Sequence, residues 1–153
     1  MGKIKLLIDA DGCPVTKRAL RIAAGYGVES VIFCDTAHEF RDAGAEVVTV
    51  SKGADSADFA LISRIARDDI VVTQDYGLAA LALVRGARVL DQNGRRYTDE
   101  NIDRLLAERA LAKRIRNGGG SSGSSRLRGP AKRTEAQNEA FDAALKALLE
   151  EKQ

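Results

Sequence analysis

A chain of 153 residues with 44% hydrophobic and 30% charged positions has the balance of one soluble globular domain and excludes wholesale disorder. No apolar run approaches the roughly 20 residues that a membrane-crossing helix needs, and two cysteines with a single histidine are too few for a tetrahedral zinc centre. The net charge is only +2, but Arg109, Lys113, Arg114, Arg116, Arg126, Arg128, Lys132 and Arg133 follow one another with no acid between Glu108 and Glu135, a pattern that suits either a polyanion or a solvated linker.

The opening Met1-Gly2-Lys3-Ile4-Lys5 leads straight into a strand-like run without the long apolar core of a signal peptide, so a cytoplasmic chain with reduced thiols is expected. Ile4 to Ile8 is nearly continuous in apolar character and reads as a strand buried on both faces. Pro14 is expected at the first position of a helix, with Cys13 as its N-cap. That helix runs through Ala24 and stops at Gly25 and Gly27. Val28–Cys34 and Glu46–Val50 read as the second and third strands, and a helix follows from about Asp55 to Arg67. Asp69–Thr73 is the fourth strand, Tyr76–Arg85 a short helix and Ala87–Leu90 a fifth strand, after which Asp91-Gln92-Asn93-Gly94 is turn chemistry. Thr98-Asp99-Glu100 caps a helix running to about Arg116.

The glycine- and serine-rich run from Gly118 to Ser125 has linker composition. A last helix is expected over Glu135–Glu150, where Phe141, Ala144, Leu145, Leu148 and Leu149 form one stripe. The stripe needs a partner, either the body of the chain or a second subunit in a homodimer. The fold expected is α/β, a three-layer α/β/α sandwich with a mostly parallel sheet. It divides into a domain over 1–117, a basic flexible linker over 118–134 and a C-terminal helix over 135–153.

In a parallel sheet all strands deliver their carboxyl ends to one edge, where ligands bind. Four of these strands run into aspartates: Asp9 and Asp11, Asp35, Asp75, and Asp91. Asp55 and Asp58 open the helix after the third strand, on one helical face. Clustered carboxylates repel unless a hard cation sits among them, and Mg²⁺ or Mn²⁺ prefers oxygen ligands. Each residue also has a plainer reading. Asp55 and Asp58 fit a capping pair, Asp75 an N-cap and Asp91 a turn. Asp9 is the hardest to explain otherwise, because it directly follows a buried strand. Cys13 is either a thiol activated by a helix N-terminus or a packing residue; the phosphatase pattern C-x5-R needs arginine at 19, which is Ala19, with Arg18 one place short. His38 is expected in a surface loop.

The segments Ile8-Asp9-Ala10-Asp11-Gly12-Cys13-Pro14-Val15, Gly53-Ala54-Asp55-Ser56-Ala57-Asp58, Val71-Val72-Thr73-Gln74-Asp75-Tyr76-Gly77-Leu78-Ala79 and Tyr97-Thr98-Asp99-Glu100-Asn101-Ile102 occur in this order. With the glycine-rich segment and the terminal helix carrying Phe141, they make the chain resemble the YaiI/YqxD family of bacterial proteins over nearly its whole length. The resemblance implies a PIN-like domain, a class of metal-dependent nucleases. Such sites use an aspartate after the first strand, an acid on a central helix and a Thr/Ser-x-Asp element after a later strand. Asp9, Asp58 and Asp75 match these places, with Thr73 in support of Asp75 and with Asp11 and Asp55 as further ligands.

The expected function is phosphodiester hydrolysis, with RNA as the substrate and Mg²⁺ or Mn²⁺ as cofactor. Lys17, Arg18 and Arg21 are expected to meet substrate phosphates beside the site, with Cys13 packed there, and Arg126 and Arg128 to hold the strand further out. Two alternatives stand beside this. One is a phosphatase like the haloacid dehalogenases, with Asp9 as nucleophile and Asp11 as general acid. The other is a nucleic-acid-binding adaptor that keeps the fold without the chemistry.

Overall fold

The computed structural model describes residues 3–35, 44–50, 56–118 and 132–151, the side chains of 56–58 and 118 excepted. Six strands, β1 (Lys5–Asp9), β2 (Glu29–Cys34), β3 (Glu46–Thr49), β4 (Ile70–Val72), β5 (Arg88–Leu90) and β6 (Arg96–Tyr97), form one sheet in the order β3-β2-β1-β4-β5-β6. All neighbours are parallel except β5 and β6. Five helices complete the fold: α1 (Thr16–Gly25), α2 (Ser56–Arg64), α3 (Tyr76–Val84), α4 (Asp99–Gly118) and α5 (Glu135–Glu151). Among the described residues no helix is long and apolar enough to cross a membrane.

The alternation of a strand divides the apolar residues between two faces. Leu6 and Ile8 of β1, with Ile32, Cys34, Ile70, Val72 and Leu90, face Val15 and Ala19, Leu20 and Ala23 of α1. Leu7, with Val31, Phe33, Val71 and Val89, faces Leu61 of α2, Leu78 and Ala82 of α3, and Ile102 and Leu105 of α4. Both faces are covered, which is why the central strands carry continuous apolar runs. The three-layer α/β/α architecture with a mostly parallel sheet follows.

The stripe of α5 closes the first of these cores. Phe141, Leu145, Leu148 and Leu149 are buried against the sheet and α1, so this face has no room for a second subunit. Polar contacts hold the helix at its middle and at its C-terminal end. Arg18 of α1 grips Asp142 with two bonds, Nε to Oδ1 at 2.9 Å and Nη2 to Oδ2 at 2.7 Å. The buried guanidinium of Arg88 donates to the carbonyl of Leu148 at 2.7 Å and meets Glu151, while its other nitrogens donate to the carbonyl of Asp68. A cation at a helix C-terminus also complements the helix dipole.

The Arg18 guanidinium holds the Asp142 carboxyl below the ordinary carboxylate range, outweighing its desolvation. A depressed folded-state pKa means that the stabilisation is complete above the unfolded value, about 3.9, and is lost as the pH falls through the folded value. Asp142→Asn is therefore expected to flatten the acid limb of the stability curve, measured by urea unfolding between about pH 3 and 6, relative to the wild type.

Between β5 and β6 the chain turns tightly. Asp91 Oδ1 accepts from the amides of Asn93 at 2.8 Å and Arg95 at 2.9 Å, and Gly94 lies at φ +88°. A Cβ on Gly94 would stand 2.6 Å from the carbonyl oxygen of Ala140 in α5, so this position needs glycine for its dihedral and for its neighbour. Gly94→Ala faces about 1–2 kcal/mol from the left-handed backbone alone, with the clash against α5 in addition. A fall of about 3–8 °C in the thermal midpoint is expected from calorimetry.

Two expectations change. Helix α1 starts at Thr16 and not at Pro14, with Val15 preceding it and no side-chain cap. The amide of Cys13 donates to the carbonyl of Ala10, and Thr16 Oγ1 to that of Cys13, so residues 10–13 are held in a turn and Cys13 is not an N-cap. The strand β6 adds itself to the sheet. His38, Asp55, Arg126, Arg128 and nearly all of the linker over 118–134 lie outside the described residues, as does the side chain of Asp58.

Candidate functional site

The strand order determines where a ligand can enter. From β1 the chain winds outward to β2 and β3, then returns to β4 and winds the other way to β5. The connections leaving β1 and β4 therefore part on opposite faces of the sheet, and a crevice opens between them at the carboxyl edge, the usual ligand position in such folds. Asp9 is the last residue of β1, and Thr73 and Asp75 follow β4 directly.

A cleft of about 660 Å³ lies there, lined by Asp9, Asp11, Gly12, Gln74, Asp75, Tyr76, Leu105, Glu108 and Arg109. Three of the aspartates that the sequence marked thus meet in one place. The buried Thr73 hydroxyl joins two of them: Oγ1 donates to Asp9 Oδ2 at 2.8 Å and accepts from the Asp75 amide at 3.0 Å. Asp75 also caps α3, with Oδ1 accepting from the amides of Gly77 at 2.8 Å and Leu78 at 3.2 Å. Its two readings, cap and site residue, are compatible, because an ionised carboxylate has about four acceptor positions. The Asp11 carboxylate accepts from the Asp35 amide, at 3.1 Å to one oxygen and 3.3 Å to the other. Gln74 Nε2 donates to the Gly12 carbonyl at 3.0 Å and ties the two loops together.

Asp58 stands in the first turn of α2. Because β3 runs parallel to β1, that helix also starts from the carboxyl edge. Among the described residues no group of three His, Cys, Asp or Glu side chains is arranged to hold a metal ion.

The far wall is α4, which no local sequence pattern marks as part of the site. Arg109 Cζ lies 5.9 Å from the centre of the Tyr76 ring, and Tyr76 meets Tyr97 edge-on at 5.9 Å. The only available signals were Arg109 at the head of the basic stretch and Tyr76 beside Asp75. The cations of α1 do something else. None of Lys17, Arg18 and Arg21 is among the described residues that line the cleft, and Arg18 is bound to Asp142. Cys13 is half-buried, and burial pushes its thiol up, which opposes thiolate chemistry. Asp91 is a turn residue, as its plainer reading had it. Asp68 and Asp69 enter β4 at the opposite edge of the sheet from Asp9, so neither can stand beside Asp9 as a further acid of a phosphatase-like site.

The fold and the cleft define a doubly wound α/β protein with an acidic crevice at its switch point. Within that class, the chain belongs to the YaiI/YqxD family: the family described as "Uncharacterized BCR, YaiI/YqxD family" matches residues 7–151. It is similar to a UPF0178 protein of Exiguobacterium sibiricum, 50% identical over 97% of this chain and 99% of that one. A UPF0178 protein of Ruminiclostridium cellulolyticum is 48% identical over 93% and 90%, and one of Clostridium acetobutylicum 41% over 95% and 97%. No solved structure matches the chain significantly.

Proposed function

We propose that the cleft hydrolyses phosphodiester bonds, with RNA as the substrate class and Mg²⁺ or Mn²⁺ as cofactor, in the manner of PIN-like nucleases. The observation that carries this reading is the meeting of Asp9, Asp11 and Asp75 in one cleft at the switch point. Their donor set is all oxygen, which fits a hard divalent cation in kind. These three line one cleft without forming a ready-made cation cage, so a bound cation would have to draw them together, with Asp58 and Asp55 from α2 and the segment before it joining them. When bound, such a cation supplies Lewis acidity toward a phosphoryl oxygen and makes a water more acidic. The protein's own part is positioning. Thr73 orients Asp9 through its hydroxyl, and Arg109 on the opposite wall carries the charge that a substrate phosphate needs.

Calorimetric titration of Mn²⁺ and Mg²⁺ tests this reading, beside cleavage of labelled RNA with and without metal. Saturable binding at millimolar metal or below is expected, together with metal-dependent cleavage. Asp75→Asn makes an informative variant, since asparagine caps a helix as well as aspartate does and only the charge is removed. It should weaken metal binding by about 10-fold or more with the thermal midpoint nearly unchanged. A wild-type chain that binds neither metal and cleaves nothing would leave the nucleic-acid-binding adaptor as the better reading.

A further inference from the structure

Helix α4 changes character along its length. In its first half Ile102 and Leu105 are buried in the second core. From residue 107 to 117 every residue is exposed, so this half, about 15 Å long, stands clear of the described residues. The face that carries Ile102 and Leu105 continues along the helix as Arg109, Lys113 and Arg116, at spacings of four and three that keep them in line. The stripe that is apolar where it meets the body is therefore cationic where it leaves it.

Its inner end is in the cleft, since Arg109 is part of the lining. No ion pair among the described residues occupies Arg109, Lys113 or Arg116, whereas Arg18, Arg64 and Arg104, also on helices, are each paired with a carboxylate. A row of exposed cations without a carboxylate partner among the described residues, leading into the cleft, has the charge complement of a phosphate chain. The cleft has the volume of a small-ligand pocket, so nucleotides would enter it in single file.

We propose that the outer half of α4 is a track for single-stranded nucleic acid, with Arg109, Lys113 and Arg116 as successive phosphate contacts leading into the cleft. The track deepens the hydrolase reading and rests on it for its purpose, but its binding needs no metal. Arg109 to Arg116 spans about 10 Å of helix, enough for two to three phosphates of an extended strand.

The test is the affinity of the full chain for a fluorescein-labelled oligouridylate, measured by anisotropy in EDTA across a salt series. Three contacts predict a log–log salt slope near −2, at about −0.7 per phosphate. The double variant K113E/R116E is expected to bind about tenfold or more weakly, with a slope shallower by about 1.4. Arg114→Glu makes the same charge change as either single substitution, K113E or R116E, but on another face of the same exposed turn, and should stay within about threefold of the wild type where each of those two exceeds it. Circular dichroism of all variants should match the wild type, because these residues are exposed. Equal losses for Arg114→Glu, an unchanged slope for the double variant, or no binding by the wild type would each overturn the track. Retained strand binding in a protein that neither takes up metal nor cleaves would sink the hydrolase reading and leave the track standing.

Discussion

Replacing Asp69 by alanine is expected to destabilise the protein by about 3–5 kcal/mol, a large part of the total stability of an ordinary domain. Asp69 enters β4 and is fully buried at the amino edge of the sheet, the edge opposite the cleft. Its carboxylate has three donors: the Lys5 amide at 2.9 Å, the Lys5 ammonium at 2.7 Å and the Ala66 amide at 2.8 Å. One side chain thus joins the start of β1 to the start of β4, the two central strands, and closes the turn after α2. Alanine would leave the two amides and an ammonium without their acceptor, and it is this loss of partners in a buried place that makes the change costly. Asp69→Asn keeps one acceptor oxygen and should lie between alanine and the wild type. Urea unfolding measures both. A loss below about 1 kcal/mol for alanine would show that water replaces the carboxylate and that the two strands need no clamp at this edge.

The contrast between Asp69 and Asp9 shows what a sequence can and cannot reveal. Both flank apolar runs, and the direction of the strand decides their roles: Asp9 leaves a strand at the ligand edge, and Asp69 enters one at the far edge. Strand positions were legible because burial on both faces leaves an uninterrupted apolar run, as in Leu6-Leu7-Ile8 and Ile70-Val71-Val72. The C-terminal helix was legible from its stripe, but the stripe alone could not distinguish the body from a second subunit. The partner it found is the body of the chain, through contacts such as that of Arg18 with Asp142, 124 residues apart, which no local pattern contains. Strand β6 escaped notice because two residues carry no period; it exists through its pairing with Val89 and Leu90. The start of α1 was misplaced because Pro14 suits both a helical first position and the turn it occupies. The aspartates of the cleft were legible from strand ends, whereas Arg109 was not assigned there, since the packing of α3 and α4 decides which face of α4 meets the cleft.

The second large effect is expected at Asp9. Asp9→Asn should reduce metal affinity and any metal-dependent cleavage by about 100-fold or more, because it removes a charge from the one residue at the end of the central strand β1 that faces the crevice. Stability is a separate readout and should change little, since asparagine can keep the bond from Thr73. The hydroxyl of Thr73 provides a finer version of the same test. It is buried, donates to Asp9 and accepts from the Asp75 amide, so it fixes the direction of one carboxylate and the position of the other. Thr73→Val keeps the shape and removes both bonds, and a positioning role predicts about 10–100-fold weaker metal binding. Thr73→Ser restores the hydroxyl and should restore most of the affinity. A merely structural threonine would give the opposite pattern. Valine would then lower stability without a specific loss of affinity, and serine, which leaves a small cavity, would be no better than valine. Calorimetry of the three proteins with Mn²⁺, beside their unfolding midpoints, separates the two. If Asp9→Asn and Thr73→Val both bind metal as the wild type does, Asp9 is not the anchor of the site, and the acidic cleft owes its carboxylates to capping and loop closure instead.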